Sequence, residues 1–570
     1  MKRSKRWILL LVLLSIIGVI VIIGSERLAT EKAVITPNSV FILDLRESYP
    51  EVVTTGIAEL MGEPRLSFRQ LVTSVRRAAE EPNVRACLLN TGMGGLGWAQ
   101  TEELRDALVY FKSTGKPVIA YLETAQTRDY YLASVATEVY MAHEGFLHLS
   151  LLAEVPFMNR ALGKLRIEPD FIWEGKYKSS PEMFLRDSMS EPHREEMNSL
   201  LDSIKYTMMQ SVADVRGISP EIFQSALDET FLTAKRAKEL RLVDQLLYPD
   251  EVTQSIKTQL EVTEIGKSYP ADYGFTDGLL AKISNRPKVA VVYAVGVIQA
   301  GSSQQGGIFG DILGSDTLWR QLEDLRKDSA VRAVVLRIDS PGGSGLASDI
   351  IWRGVTRLRE KKPVIVSMGD MAASGGYYIA MGADHIIAEP NTLTGSIGVF
   401  AGKFNMKGFY DWLGLTFEQL KGGQQADIFS DNSNFSPEQR AIIQSSLSDF
   451  YKTFVAKAAQ GRKKEFEQIH AVAQGRVWSG IQALDAGLVD QLGGLDTAID
   501  VARERAGIVG DIQLVIYPKK KGILSFFRKG EGKFELQMPE QIQTLMRYEA
   551  LARMFERDRV LALVPEFIKQ

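Results

Sequence analysis

The 570-residue chain is poor in the residues on which many enzymes depend, with one cysteine, Cys87, and five histidines. A lone cysteine cannot close an internal disulfide, so cysteine usage leaves the compartment open. Cys87 lies in the apolar run ACLL, the setting of a buried structural thiol. No metal-ligand spacing and no phosphate-binding glycine loop occurs, so no cofactor is implied. Positive charge is not in excess either: the formal net charge is -3, which gives no footprint for DNA or RNA. Of the histidines, His143, His148, His193, His385 and His470, only His385 begins an apolar strand beside an acid, Asp384, and a structural role is the simpler reading there. A triad built on histidine therefore has little to work with.

Long apolar runs are equally scarce, with one exception. Trp7 to Gly24 reads WILLLVLLSIIGVIVIIG after Lys2, Arg3, Lys5 and Arg6. Eighteen residues at ~1.5 Å each give about 27 Å of helix, close to the thickness of a hydrocarbon core. The flanking cations predict an N-terminus in the cytoplasm and a body on the outer side of the cytoplasmic membrane. A cleaved signal peptide is the competing reading, but SERLATEK after Gly24 lacks a clean small-x-small site, so an uncleaved anchor is expected.

The rest has ordinary globular composition, 45% hydrophobic and 24% charged, and is too long for one core. An internal repeat organises it. VRACLLNTGMGG from Val84 matches VRAVVLRIDSPGG from Val331, about 247 residues on, and GKPVIAYLETAQTRDYYLA matches KKPVIVSMGDMAASGGYYIA at the same offset. LRLVDQL from Leu240 matches AGLVDQL from Ala486, one residue short of it. Within each copy, β-branched runs alternate with amphipathic stretches. VAVVYAV from Val289, AVVLRI from Ala333, PVIVS from Pro363 and HIIAE from His385 read as strands. Leu318, Leu322 and Leu325 share one helical face, as do Phe68, Leu71, Val72 and Val75. Such alternation predicts two tandem α/β repeats of parallel β-α-β units. The expected plan is a stub, anchor and linker over 1–38, a first repeat over 39–267, a join over 268–287, a second repeat over 288–510 and a basic, amphipathic extension over 511–570.

Three segments of the second repeat carry chemistry. In GDMAASGGYYIA, Ser374 stands between a strand and a small-residue helix start, where Gly375 and Gly376 leave its hydroxyl uncrowded. An N-cap serine is the plain alternative. In DSPGGS, Gly342 and Gly343 follow a strand, where backbone N–H groups can face a bound carbonyl; an ordinary strand-to-helix turn reads the same way. In TLTGSIGVF, Ser396 sits among glycines and apolar residues, as a loop serine also would.

Together, SPGGS, MAASGGYY and LTGSIGVF, in that order, resemble the catalytic repeat of the signal peptide peptidase A (SppA) family in its long, duplicated form, over about residues 40 to 500. The resemblance implies the ClpP/crotonase superfamily fold, a serine endopeptidase acting on released signal peptides and other short apolar peptides, and a homotetramer. It further implies that Ser374 is the nucleophile, that the backbone at Gly343 and Gly375 forms the oxyanion hole, and that Ser396 orients the base. In long members of the family the base is a first-repeat lysine in a GxYKS-like segment, which EGKYKSSPEMF matches with Lys178, Lys176 being its solvated neighbour. A lysine can act so only if burial lowers its pKa by several units. The repeat offset bears on this independently. It carries Lys178 to Gln425, which is no base, and Ser374 back to Thr127 or Arg128, so neither half has a whole dyad. Should the second half prove active alone, Lys421 would be the first suspect for its base. An acyl-CoA enzyme of crotonase type and a catalytically silent membrane scaffold that binds peptides are the rival readings. The tail from Pro518, PKKKGILSFFRKGEGK and then MPEQIQTLMRYEALARMF, suits packing or anionic lipid, and Phe146 to Val155 suits a core strand or a groove wall.

Overall fold

The computed structural model describes residues 34–53, 65–92, 95–273, 286–307, 310–518, 561–563 and 568–569. The apolar run Trp7 to Gly24 and most of the tail from Pro518 lie outside them. Among the described residues no helix is long and apolar enough to cross a membrane.

Two parallel-rich sheets repeat one plan. In the first, the strands Phe231–Thr233, Glu138–His148, Val118–Gln126, Val84–Thr91, Ser39–Asp44 and Gly266–Ser268 lie side by side. The second runs Val477–Ser479, Leu393–Gly395, Val364–Ala373, Val331–Ser340, Lys288–Val295 and Gln513–Tyr517. The edges repeat in register too, since Phe146 faces Thr233 in one and Leu393 faces Ser479 in the other, both in antiparallel pairs. Central strands such as VAVVY are buried on both faces, as parallel strands covered by helices require. The expected helical stripes are buried on Phe68–Glu80 and Ser315–Lys327. Ser67 caps the first with its hydroxyl and exchanges hydrogen bonds with Gln70, which fixes where it starts. Cys87 is fully buried in its strand, and burial pushes its thiol pKa up. Gln513–Tyr517, which the sequence pattern groups with the extension, closes the second sheet against Lys288–Val295.

A third sheet joins the halves. Its order is Gln304–Gly307, Gly310–Gly314, Val297–Gln299, Gly342–Ser344, Leu561–Leu563, Val399–Asn405 and Glu168–Glu174, so a first-repeat strand pairs along seven residues of a second-repeat strand. Charge pairing reinforces the contact. The fully buried Arg337 guanidinium binds Glu51 and Glu103 of the first repeat at 2.8 and 2.6 Å. Asp370 accepts from the N–H of Ala99 at 2.8 Å, at the start of helix Trp98–Ser113. Gly97 lies so close beside it that a Cβ there would overlap the Asp370 carboxylate unless that side chain moved.

Candidate active site

Ser374 ends the strand Val364–Ala373 and opens the helix Gly375–Ala380 with φ 55° and ψ −111°, a conformation that costs a non-glycine residue on the order of 1–3 kcal/mol. The strain is held by hydrogen bonds on both sides, from Ser374 N to Gly395 O at 2.8 Å and from Tyr378 N to Ser374 O at 2.8 Å. The helix can start so abruptly because the next two residues have no side chain. A Cβ on Gly375 would come within 3.1 Å of Gly343 N, and one on Gly376 within 2.7 Å of Ser340 O. The glycine strand Gly342–Ser344 thus lies directly against the start of the serine's helix. Gly343, at φ +151°, packs against Ile298, whose oxygen a Cβ would strike.

Lys178 reaches the serine from the first repeat. Its Nζ lies 2.9 Å from Ser374 Oγ and 2.9 Å from Ser396 Oγ. All three side chains are buried: Ser374 is 0% exposed, Ser396 1% and Lys178 2%. Burial lowers the Lys178 pKa from 10.5 to about 7, against a smaller upward pull from the nearby Glu196 carboxylate. Near neutral pH the amine is therefore uncharged much of the time, with a lone pair to accept a proton.

The loop Gln474–Arg476 seats the lysine. Gln474 O accepts from Tyr177 N at 2.8 Å, Gly475 N donates to Ile397 O at 2.8 Å and Arg476 O accepts from Ser396 N at 2.7 Å. One turn thus fixes the segments carrying Lys178 and Ser396 to each other. It needs glycine at 475, where φ is +83° and a Cβ would sit 2.5 Å from Lys178 N.

The other sequence candidates have different partners. Lys176 is exposed over the Tyr177 ring, and Lys421 pairs with Asp427. Thr127 is buried and donates to Ser150 O at 2.7 Å. His385 faces Gln491 and Arg505. His193 is held by Glu182, and His470 by Tyr451.

The family model described as Peptidase family S49 matches residues 110–263 and 356–509, one segment in each repeat. The chain is 33% identical to "Protease 4" of Salmonella typhi over 84% of its own length and 78% of that protein. It is 34% identical to "Serine protease SPPA, chloroplastic" of Arabidopsis thaliana, over 78% of this chain and 66% of that protein. The chain belongs to peptidase family S49. The family and its named relatives support a serine protease. Among solved structures, a point mutant of ClpP1 from Listeria monocytogenes is 17% identical, with a TM-score of 0.25 over 39% of this chain and 96% of that one. Of the five site residues named from sequence, Lys178 lies on the first S49 segment, Gly375, Ser374 and Ser396 on the second, and Gly343 just before it.

Sequence reasoning missed Glu196. It sits on the buried stripe of helix Glu191–Arg216 with His193, Met197 and Leu200, and accepts from the N–H of Val477. Burial raises its pKa to about 8, against the pull of that N–H and of Lys178. The available signal was a carboxylate at the i+3 position of an otherwise inward-facing stripe.

Proposed function

We propose that this S49 protein is a membrane-anchored endopeptidase with a Ser/Lys dyad split between its repeats, acting on short apolar peptides such as released signal peptides. The observation that carries the reading is the 2.9 Å approach of the buried Lys178 amine to Ser374 Oγ, at a lysine whose pKa is lowered to about 7. The neutral amine accepts the Ser374 proton as Oγ attacks the scissile carbonyl, and returns it to the leaving amine when the acyl-enzyme forms. A second round, with water as nucleophile, frees the acyl group and regenerates Ser374. Ser396 Oγ, 2.9 Å from Nζ, receives one amine hydrogen and keeps the lone pair turned to Ser374. In this reading the N–H groups of Gly343 and Gly375 receive the oxyanion, which the close approach of these two residues at the start of the serine's helix supports.

The cationic N-terminus before Trp7 to Gly24 supports an anchored body outside the cytoplasm, and resemblance supports a homotetramer. The test is hydrolysis of an apolar fluorogenic peptide. Ser374→Ala and Lys178→Met are each expected to lose at least ~10³-fold in kcat/KM, with the double variant no worse than either single. Full turnover by Ser374→Ala would favour the silent-scaffold reading and assign the cleavage to a contaminant.

A further inference from the structure

An amine is more stable charged in water than buried, so the segment that carries Lys178 must be held in place against that preference. The backbone of Gln474–Arg476 supplies part of the hold, and the Arg476 side chain adds to it. Its guanidinium carbon lies 4.9 Å from the centre of the Tyr177 ring and 4.5 Å from that of the Trp478 ring. Its Nη1 donates to Glu195 Oε1 at 2.8 Å, and the Tyr177 hydroxyl donates to the same oxygen at 3.1 Å. Tyr177 precedes Lys178, and Glu195 precedes Glu196. One arginine of the second repeat therefore binds both the segment that carries the amine and the helix whose carboxylate acts on it. Its main-chain oxygen meanwhile accepts from Ser396 N at 2.7 Å.

The duplication supplies an internal control. The bond from Ser396 N to Arg476 O recurs in the first repeat as Leu149 N to Thr230 O, also at 2.7 Å, beside the matched antiparallel edges of the two sheets. Both copies thus share the main-chain bond, but only one has the arginine. The helices Glu191–Arg216 and Pro437–Arg462 are both 26 residues long with a serine N-cap, and in that register Ala441 and Ile442 stand where the first copy has Glu195 and Glu196. At the matched edge Leu232 stands for Trp478, and Gln424 and Gln425 stand for Tyr177 and Lys178. The two rings, the guanidinium and the two carboxylates are together only at the joint where an amine enters a serine site. A group that served the fold alone would be expected in both copies.

We infer that Arg476 is a positioning residue for the dyad, which by binding Tyr177, Trp478 and Glu195 pins the lysine segment to the second repeat and keeps water from the amine. The inference rests on the protease reading with Lys178 as base. The charged groups around the guanidinium are Glu195 and Glu196 from the helix and Lys176 from the lysine segment. Lys178 itself is acted on by the Glu196 carboxylate. Charge and shape can be separated at this position. A planar guanidinium stacks on aromatic rings while its edge reaches a carboxylate, whereas an ammonium keeps the charge and loses that geometry.

The experiment uses the full chain. Hydrolysis of a short apolar peptide and fluorophosphonate labelling of Ser374 are followed across the pH range in wild type, Arg476→Lys and Arg476→Met. In Arg476→Lys, kcat at neutral pH should fall on the order of tenfold with KM little changed, because the lysine is displaced and the peptide is not. Water that reaches the amine returns its pKa toward 10.5, so the acid limb should move up from near 7 by about one unit, and the loss should shrink severalfold two units above neutrality. Because this variant keeps the charge, the shift reports hydration of the amine. Arg476→Met should lose more, on the order of 10²-fold in kcat. Should the Arg476 variants fail to fold, Glu195→Ala, at a side chain 49% exposed, removes the shared carboxylate and is read as Arg476→Lys is. Wild-type kcat and midpoint in Arg476→Lys would overturn the positioning role and leave the protease reading standing. A lowered kcat with the midpoint still near 7 would overturn it too, since it marks a residue that serves the fold and not the lysine. If wild type neither labels nor hydrolyses, the protease reading falls and the inference with it.

Discussion

Lys178 decides whether this site can work as a base. An amine with a pKa of 10.5 must lose its proton to enter the position it holds, so near neutral pH folding expels a proton and the site's stability contribution rises with pH between about 7 and 10. That cost is the price of a neutral lone pair at the serine. Glu196 moderates it, because its charge pulls the Lys178 pKa upward. Replacing it, as in Glu196→Gln, should therefore shift the acid limb of the pH profile of kcat/KM below its expected midpoint near 7. The shift should be no more than about one unit, since Glu196 itself keeps its proton below about 8. An unshifted limb would mean that the carboxylate does not act on the lysine. Legibility differed among these residues for physical reasons. Ser374 and Ser396 stand in local glycine-rich motifs, which a sequence displays directly. Lys178 has no local signature of burial and stood out only through family resemblance and the offset that exchanges it for Gln425. Glu196 left only the faint signal of a carboxylate on an inward-facing helical stripe, because the N–H it accepts from, that of Val477, lies 281 residues away.

At the scale of elements, the site depends on turns that only glycine can make. The Gln474–Arg476 turn is the one that couples the lysine segment to the Ser396 segment. Gly475→Ala would add a Cβ 2.5 Å from Lys178 N in a left-handed conformation, and the lysine backbone must give way. A displacement of about 1 Å at a catalytic group commonly costs on the order of 10²-fold, so kcat should fall by about that factor with KM little changed. A variant with wild-type kcat would show that the turn does not set the lysine. Strands and helices were largely readable, because β-branched runs such as VAVVY and stripes such as Leu318, Leu322 and Leu325 carry their periodicity in the sequence. The third sheet was not. Its short strands, Gly342–Ser344 and Leu561–Leu563, have no periodicity of their own and exist only through pairing with residues far along the chain. For that reason LAL in the tail read as part of an amphipathic extension.

For the whole molecule, duplication explains how a lysine and a serine 196 residues apart in sequence come to share one site. The first repeat keeps the fold and supplies Lys178 but has Thr127 where the second has Ser374, and that threonine hydroxyl is committed to Ser150. The second repeat supplies Ser374 and Ser396 but carries Gln425 at the lysine's equivalent position. Pairing of Glu168–Glu174 with Val399–Asn405, and of Arg337 with Glu51 and Glu103, holds the halves in the one arrangement that brings 178 and 374 together. Duplication was legible from the matching segments, whereas the face across which the repeats meet rests on long-range pairs that no local pattern announces. The most direct measurement is the rate at which a fluorophosphonate labels Ser374 across the pH range in wild type and Lys178→Met. The dyad predicts a wild-type rate that climbs through a midpoint near 7 and levels off above it, and a Lys178→Met rate at least ~10²-fold lower with no such midpoint. Equal labelling of the two proteins, with the same pH dependence, would contradict the assignment of Lys178 as the base.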